Sequence, residues 1–281
     1  MGGRKKVGLI IQEAIGLYKR NLLLFFVVSL IAYGATYGVG QLGLLVARAL
    51  GLDNSSLNVL FGPESIKEML AGWGINVLLV VRLFTLVGTV FTTILSMLFS
   101  ELFSIPGNAL TVGAYDVMLG ICKGRKRSAQ EAAVRLKQHW ARYLGISAWS
   151  SLFIWLWSFL FLIPGLVKTY AYLLAPFLIL DYPGMTVRQA LKKSVQITKG
   201  YKGRLFGLMI LVSLPPAIPF YILGFVLMVS GHLPAYTATI AIVSPVLSLL
   251  IIQPIMTMAN TIAYLDLKRA AIDRGLLPSQ G

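Results

Sequence analysis

The chain has 281 residues, of which 57% are hydrophobic and only 12% are charged, and its formal net charge at pH 7 is +15. A typical soluble domain carries about 25% charged residues, so this composition argues against a water-soluble fold. Residues 205–265 contain no Asp, Glu, Lys or Arg, and a helix crosses a bilayer in about 20 apolar residues. We therefore predict an all-α fold, a polytopic bundle of membrane-spanning helices.

The positive charge is concentrated next to the apolar runs. Most Lys and Arg residues fall in four clusters, at 4–20, 123–142, 188–204 and 268–274. Cytoplasmic loops of membrane proteins carry an excess of Lys and Arg, so we place all four clusters and both termini on the cytoplasmic side of a bacterial cytoplasmic membrane. Six spans satisfy this arrangement. No nucleic-acid recognition motif accompanies the charge, and we expect anionic membrane lipids, not nucleic acid, as the partner.

The connections between the apolar runs are too short to fold alone, which predicts one integral membrane domain over 1–281. Cys122 is the only cysteine, so no intrachain disulfide can form, and metal ligation by cysteines is not expected. The first apolar run, from Asn21, is longer than the apolar part of a signal peptide. We expect it to be a span and not a removable leader.

The first predicted unit begins with a basic amphipathic helix that leads directly into a span. Its apolar residues recur at helical spacing, and Lys19 and Arg20 stand where the chain enters the membrane. Span one is predicted over about 21–47. Its Gly34-x-x-x-Gly38 pair permits close helix packing, either within this chain or between two copies. The apolar stripe consists of Val7, Ile10, Ile11, Ala14 and Tyr18.

Span two is predicted over about 73–100 and contains Arg82. A charge at that depth is costly, so Arg82 is expected to pair with a partner or to face a water-filled cavity. The next segment, 105–122, contains Asp116 and begins at the helix breaker Pro106-Gly107. It is short for a crossing, and we expect a broken extension of span two or a re-entrant segment on the cytoplasmic side.

The second and third units also begin with amphipathic helices. Each opens with a predicted capping box, Ser128-x-x-Glu131 or Thr186-x-x-Gln189, which satisfies exposed amides at a helix start. The second apolar stripe consists of Ala129, Ala132, Ala133, Leu136 and Trp140, and the third of Val187, Ala190, Leu191, Ser194, Val195 and Thr198.

Spans three and four, at about 143–163 and 165–180, form a tight pair with a predicted bend at Pro164-Gly165. Lys168 lies a few residues from this external bend, and we expect its side chain to snorkel outward.

Span five, at about 205–229, contains Pro215, Pro216 and Pro219. Prolines inside a helix kink or interrupt it, here either to line a cavity or simply to fit the bundle. Span six follows at about 236–262, after a short break rich in turn formers.

Basic amphipathic helices of this kind lie flat in the membrane interface, with the apolar face toward the acyl chains and Lys and Arg toward phosphate. The sequence thus predicts three interfacial helices on the cytoplasmic side. The same order, an interfacial helix followed by two spans, occurs three times, over 4–122, 127–182 and 185–265. Either the three units are an internal triplication, or each unit is anchored to the membrane in the same way. The expected lipid-contact residues are Lys19, Arg20, Arg135, Lys137, Arg142, Lys192, Lys193, Lys199, Lys202 and Arg204.

Several motifs follow one another between residues 162 and 206. They are Leu162-Ile163-Pro164-Gly165, Tyr170-Ala171-Tyr172, Ala175-Pro176-Phe177-Leu178-Ile179-Leu180-Asp181, Ala190-Leu191-Lys192-Lys193-Ser194 and Thr198-Lys199-Gly200-Tyr201-Lys202-Gly203-Arg204-Leu205-Phe206. In order and spacing they resemble the membrane domain of some bacterial glycerophosphodiester phosphodiesterases and a related group of uncharacterised bacterial multi-pass membrane proteins. The resemblance implies architecture only. Hydrolysis in those enzymes belongs to a separate barrel of about 250 residues, so no catalytic residue is carried over.

The sequence offers little chemistry. Its two histidines, His139 and His232, lie on opposite sides of the membrane in this topology and cannot share a metal ion. The motifs of zinc proteases, serine hydrolases and phosphate-binding loops are absent from the sequence. We therefore expect no cofactor and no enzymatic activity. Three ionisable residues are expected within the membrane: Arg82, Asp116 and Lys168. They form either a polar path through the bundle or structural pairs.

These observations favour a non-enzymatic integral membrane protein that organises or assists membrane components, or supports envelope homeostasis, through contacts with lipid and with another membrane protein. The alternative is a transporter of a lipid-derived or amphipathic solute, with Arg82 and Lys168 as anion contacts inside the bundle.

The six-span topology predicts which loops can be reached from outside the cell. In a Cys122→Ser background, Ser55→Cys should react with a membrane-impermeant thiol reagent on intact cells, because it lies in an external loop. Ser128→Cys should react only after permeabilisation, because it lies within a basic cluster. Labelling of Ser128→Cys on intact cells would overturn the topology.

Overall fold

The structure is a computed structural model that describes residues 5–50, 77–125, 129–160, 162–231, 243–244 and 246–278. The labelling positions Ser55 and Ser128 lie outside these ranges. The described residues form helices joined by turns, and no strand occurs among them. Four helical segments in these ranges are long and apolar enough to cross a membrane, which is consistent with a membrane protein. They are Leu22–Gly43, Ile163–Asp181, Lys202–Val229 and Ser248–Asp273.

The helices are numbered in chain order over the described residues. They are α1 (Val7–Arg20), α2 (Leu22–Ala49), α3 (Val77–Cys122), α4 (Ala129–Gln138), α5 (Trp140–Leu160), α6 (Leu162–Tyr172), α7 (Ala175–Asp181), α8 (Val187–Thr198), α9 (Lys202–Val229) and α10 (Gln253–Asp273). The chain divides into two compact units, Thr36–Gly107 and a larger one formed by Met1–Ala35 with Asn108–Gly281. The candidate site described below lies in the larger unit.

Pro106 lies inside α3 without ending it. The predicted break or re-entrant turn at Pro106-Gly107 is therefore wrong, since the helix continues to Cys122. A proline inside a helix removes one backbone hydrogen bond, and membrane helices tolerate this loss because neighbouring helices, Ser or Thr side chains or water satisfy the freed carbonyl group. Gly107 serves packing instead: it is buried, and a Cβ there would lie 2.9 Å from the Cβ of Thr36.

Helices α5 and α6 pack against each other as a hairpin. Helix α5 ends at Leu160 and α6 begins at Leu162, so Pro164 and Gly165, the site of the predicted bend, lie within α6. Pro164 lies in the first turn of α6, where a missing N–H costs no helical hydrogen bond. Gly165 is buried, and a Cβ on it would lie 2.6 Å from the Cα of Ser158. The backbones of the two helices therefore touch at this glycine.

Helix α8 begins with the predicted capping box. The Thr186 hydroxyl oxygen accepts a hydrogen bond from the Gln189 backbone N–H at 3.3 Å, and the Gln189 Oε1 accepts one from the Thr186 N–H at 2.9 Å. This prediction is confirmed. The other predicted capping box begins at Ser128, outside the described residues.

Helix α9 continues without interruption through Pro215, Pro216 and Pro219. The prolines therefore do not divide this segment into two helices. Helix α10 continues to Asp273, beyond the predicted end of span six at residue 262.

A π-helical turn, Ser248–Ile252, directly precedes α10. Pro254 has no N–H, so the carbonyl group of Leu250, four residues earlier, loses the helical hydrogen bond that another residue would give. The Tyr18 hydroxyl donates to this carbonyl oxygen at 2.8 Å. One side chain at the end of α1 thus compensates for a proline at the start of α10.

The apolar stripes of α1 and α8 are covered by other helices of the same chain. Ile10 and Ala14 are buried, and α1 packs mainly against α10. Ala190, Leu191 and Ser194 are buried as well, and α8 packs against α5, α6, α7 and α10. These faces, which we expected to meet the bilayer, contribute to the protein core. The exposed surface of α8 is its basic side, whereas that of α1 combines Lys19 and Arg20 with Leu9 and Glu13.

Helix α9 exposes large apolar side chains along most of its length. An exposed apolar surface of this extent marks a site for lipid or for a partner. The side chains concerned are Met209, Ile210, Leu211, Leu214, Ile218, Tyr221, Ile222, Leu223, Phe225, Val226, Met228 and Val229.

Replacing Gly165 with Ala tests the contact between α5 and α6. The added methyl group has no room beside Ser158, so we expect the free energy of unfolding to fall by about 2 kcal/mol, measured by denaturant unfolding in detergent. Gly207→Ala in α9 is the matched control, because no atom of the described residues lies within 4 Å of a Cβ there and alanine favours helices. Equal losses in the two variants would contradict the proposed contact.

Candidate functional site

The last residue of α7, Asp181, is a buried carboxylate with partners from two other parts of the chain. Its Oδ2 accepts hydrogen bonds from the Tyr264 hydroxyl and the Lys268 ammonium group, both at 2.8 Å. Its Oδ1 pairs with the ammonium group of Lys123. The Asp181 side chain is only 3% exposed, so these groups replace water as its partners. We refer to Asp181, Tyr264, Lys268 and Lys123 as the Asp181 cluster.

Local sequence places each member of the cluster. Tyr264 and Lys268 are four residues apart and therefore lie on the same face of α10. Lys123 directly follows α3, where Gly124 has a φ of 72°. This left-handed conformation favours glycine and is typical of helix ends. The turn at Gly124 ends α3 beside α7, where the Lys123 side chain reaches Asp181.

A turn at a second glycine directs the chain after α10 back toward the cluster. Gly275, just beyond α10, has a φ of 67°, and the chain then folds back. The carbonyl oxygen of Leu276 accepts a hydrogen bond from the Lys193 ammonium group at 2.8 Å. The Tyr182 hydroxyl donates to the carbonyl oxygen of Pro278 at 3.3 Å. The C-terminal residues thereby connect α10 to α8 and to the end of α7.

Aromatic rings surround the charged groups. Phe177 stacks between Tyr115 and Tyr264, with ring centroids 4.9 and 5.1 Å away. The Lys268 ammonium nitrogen lies 5.0 Å from the centroid of the Tyr182 ring, within the range of a cation–π interaction. Burial raises the pKa of the Tyr182 phenol above its ordinary value, so the hydroxyl stays protonated and able to donate.

A groove of about 480 Å³ lies beside the cluster. It is lined by residues 181–185 and by Gln189 and Lys193 on successive turns of α8. Arg142 of α5 reaches the same place, where its Nη2 donates to the carbonyl oxygen of Met185 at 2.6 Å. The groove thus brings cationic side chains to the end of an apolar segment.

The predicted lipid-contact residues fall into two groups. Arg142 and Lys193 donate to carbonyl oxygens beside the groove, and Arg204 pairs with Asp266 at 3.3 Å. These three side chains are partly buried, as is Lys202. The other predicted residues are exposed: Lys19, Arg20, Arg135, Lys137, Lys192 and Lys199.

The intramembrane polar candidates are not brought together as far as their side chains are described. Asp116 is buried, and its Oδ1 lies 3.8 Å from the Nη1 of Arg135. Lys168 lies over the ring of Trp157, with its ammonium nitrogen 4.7 Å from the ring centroid. The Arg82 side chain lies outside the described part of the structure, which gives only its helical backbone.

The histidines do not form a site in the described part of the chain. His139 is exposed between α4 and α5, with its ring centroid 6.3 Å from that of Tyr143. His232 lies outside the described residues. Within the described ranges, no three His, Cys, Asp or Glu side chains come close enough to hold a metal ion.

No family model, curated protein or solved structure matches the chain. The resemblance to the membrane domain of glycerophosphodiester phosphodiesterases therefore stays a prediction from the sequence motifs.

Sequence patterns do not single out Asp181 and its lysine partners as a site. One signal points toward it: the chain has 10 acidic residues against 25 basic ones. A carboxylate that ends an apolar run between basic clusters is therefore a strong candidate for a buried ion pair. Which lysines reach it depends on how the ends of α3 and α10 pack, and periodicity does not reveal that.

Asp181→Asn removes the carboxylate charge and nearly keeps the shape of the side chain. Lys123 and Lys268 would lose their shared counter-charge, so the free energy of unfolding should fall by about 3 kcal/mol, measured by denaturant unfolding in detergent. Asp273→Asn, at the exposed end of α10, removes an equal charge and should change it by no more than about 0.5 kcal/mol. The same loss in both variants would refute a structural role for the cluster.

Proposed function

We propose that the protein is a non-enzymatic integral membrane protein of the bacterial cytoplasmic membrane. In this proposal it organises or assists other membrane components, or supports envelope homeostasis, through contacts with anionic lipids and with membrane proteins. One observation carries the proposal: the basic side of α8 is exposed while its apolar side is buried in the chain's own core.

Six spans with both termini in the cytoplasm are part of this proposal. The four apolar segments account for four of the spans. Helix α5, with 21 residues, and the first part of the 46-residue helix α3 supply the other two, since a crossing takes about 20 residues. All four basic clusters then lie on one side of the membrane, as the excess of Lys and Arg in cytoplasmic loops requires.

Exposed lysines support the lipid contacts. Lys192 is exposed on the basic side of α8, and Lys199 is exposed directly after this helix, before α9 enters the apolar region. A Lys or Arg near an anionic membrane surface gains about 1 kcal/mol. Because the apolar side of α8 already packs on the protein, its attraction to the membrane surface rests on charge and not on insertion into the acyl chains.

The lipid contacts can be tested with two exposed lysines. The full chain, reconstituted in vesicles, should resist unfolding better in phosphatidylglycerol than in phosphatidylcholine. Joint Lys192→Gln and Lys199→Gln substitution should reduce this gain by about 2 kcal/mol, at roughly 1 kcal/mol per charge. Joint Lys192→Arg and Lys199→Arg substitution keeps the charge and should keep the gain. Equal stability of the wild type in both lipids would contradict the proposal.

The rival function, transport of an amphipathic solute, leads to a different result. After crosslinking in native membranes the protein would then purify without partner proteins. Reconstituted in vesicles, it would move the solute, and Arg82→Ala would abolish the movement. This combination of results would overturn the proposed function.

A further inference from the structure

More cationic than anionic side chains lie in and next to the groove beside the Asp181 cluster. Lys123 and Lys268 share the single carboxylate of Asp181. Lys193 and Arg142 donate to backbone carbonyl oxygens, which carry no formal charge. Of these five charged side chains, Asp181 and Lys193 line the groove, and the three cations Lys123, Lys268 and Arg142 contact residues that line it. Partly buried cations attract an anion more strongly than exposed ones, because water and salt screen them less.

The position of the groove suggests which anion it meets. Residue 181 ends the apolar segment Ile163–Asp181, and the basic helix α8 begins a few residues later. A point between a membrane-spanning segment and a basic surface helix lies at the level of the lipid headgroups. The apolar side chains of Pro183 and Met185, which also line the groove, suit the glycerol and upper acyl carbons of a lipid.

We propose that this groove binds the phosphate-bearing headgroup of an anionic phospholipid, with Lys193 as its direct contact and with Arg142, Lys123 and Lys268 supplying the surrounding positive charge. This inference rests on the proposed function, which it deepens: it places one specific lipid site on a surface that otherwise attracts lipid through exposed charge. Two residues that line the groove are held by other contacts: Asp181 by its cluster and Gln189 by the capping box of α8.

Gln189 allows the site to be tested without loosening the fold. It lines the groove, and its side chain oxygen completes the capping box with Thr186. Glutamate serves equally well at this capping position, and a negative charge in the first turn of a helix is favourable. Gln189→Glu should therefore preserve the unfolding temperature of the protein while it repels an anion from the groove.

The experiment measures lipid retention by the full chain in detergent, using native mass spectrometry during titration with phosphatidylglycerol. Gln189→Glu and Lys193→Gln should each raise the apparent dissociation constant about tenfold, the effect of one lost charge-assisted contact. Gln196→Glu is the matched control, because it adds the same negative charge on the same helix at an exposed position. It should retain phosphatidylglycerol as the wild type does. Phosphatidylcholine, whose headgroup has no net charge, should be retained weakly by every variant.

A separate titration with inorganic phosphate distinguishes the two sources of a phosphate group. Stabilisation of the lipid-free wild type by phosphate, lost in Gln189→Glu, would assign the groove to a soluble phosphate compound and overturn the lipid proposal. Equal retention of phosphatidylglycerol by Gln189→Glu and Gln196→Glu would overturn the groove as a site. The broader lipid role would still stand in that case, provided that stability in vesicles depends on Lys192 and Lys199.

Discussion

The carboxylate of Asp181 is the constraint on which the arrangement of the larger unit depends. Two ammonium groups and a phenol share it, and they come from the end of α3 and from α10. A buried ion pair adds little net stability compared with apolar packing, but removal of one partner is costly. The cluster therefore mainly determines where the helices lie relative to one another. The ends of α3, α7 and α10 meet at the point where three donors can reach one carboxylate.

The geometry of the groove depends on the same Asp181 carboxylate. Gly275 ends α10 in a left-handed conformation and returns the chain, so that Leu276 accepts a hydrogen bond from Lys193. Tyr182, next to the shared carboxylate, is held by Pro278 in the same returning segment. The side chains at the groove are thus held by the same residues that hold the helix ends, and a change in either place is expected to affect the other.

Local rules predicted some of these features and could not predict others. The capping box at Thr186 follows from residues three positions apart, and the structure has it. The effects of Pro106 and Pro164 depend on context: one proline sits inside a continuous helix and the other in a first turn, where its missing N–H is harmless. The Asp181 cluster joins residues far apart in the chain, and no local pattern specifies which lysines pair with a carboxylate. Likewise, the stripe on α8 shows an apolar side but not whether lipid or protein covers it.

Because the chain has few carboxylates, only some of its basic residues can form ion pairs with one. Lys123, Lys268 and Arg204 have acidic partners and fix helix positions. Lys193 and Arg142 donate to carbonyl oxygens, which carry no formal charge, next to the groove. The exposed lysines on and directly after α8 add a long-range field that salt screens within about 10 Å. If the protein binds anionic lipid as proposed, the exposed lysines attract headgroups in general. The groove cations, held at fixed positions and less screened, then determine which headgroup stays.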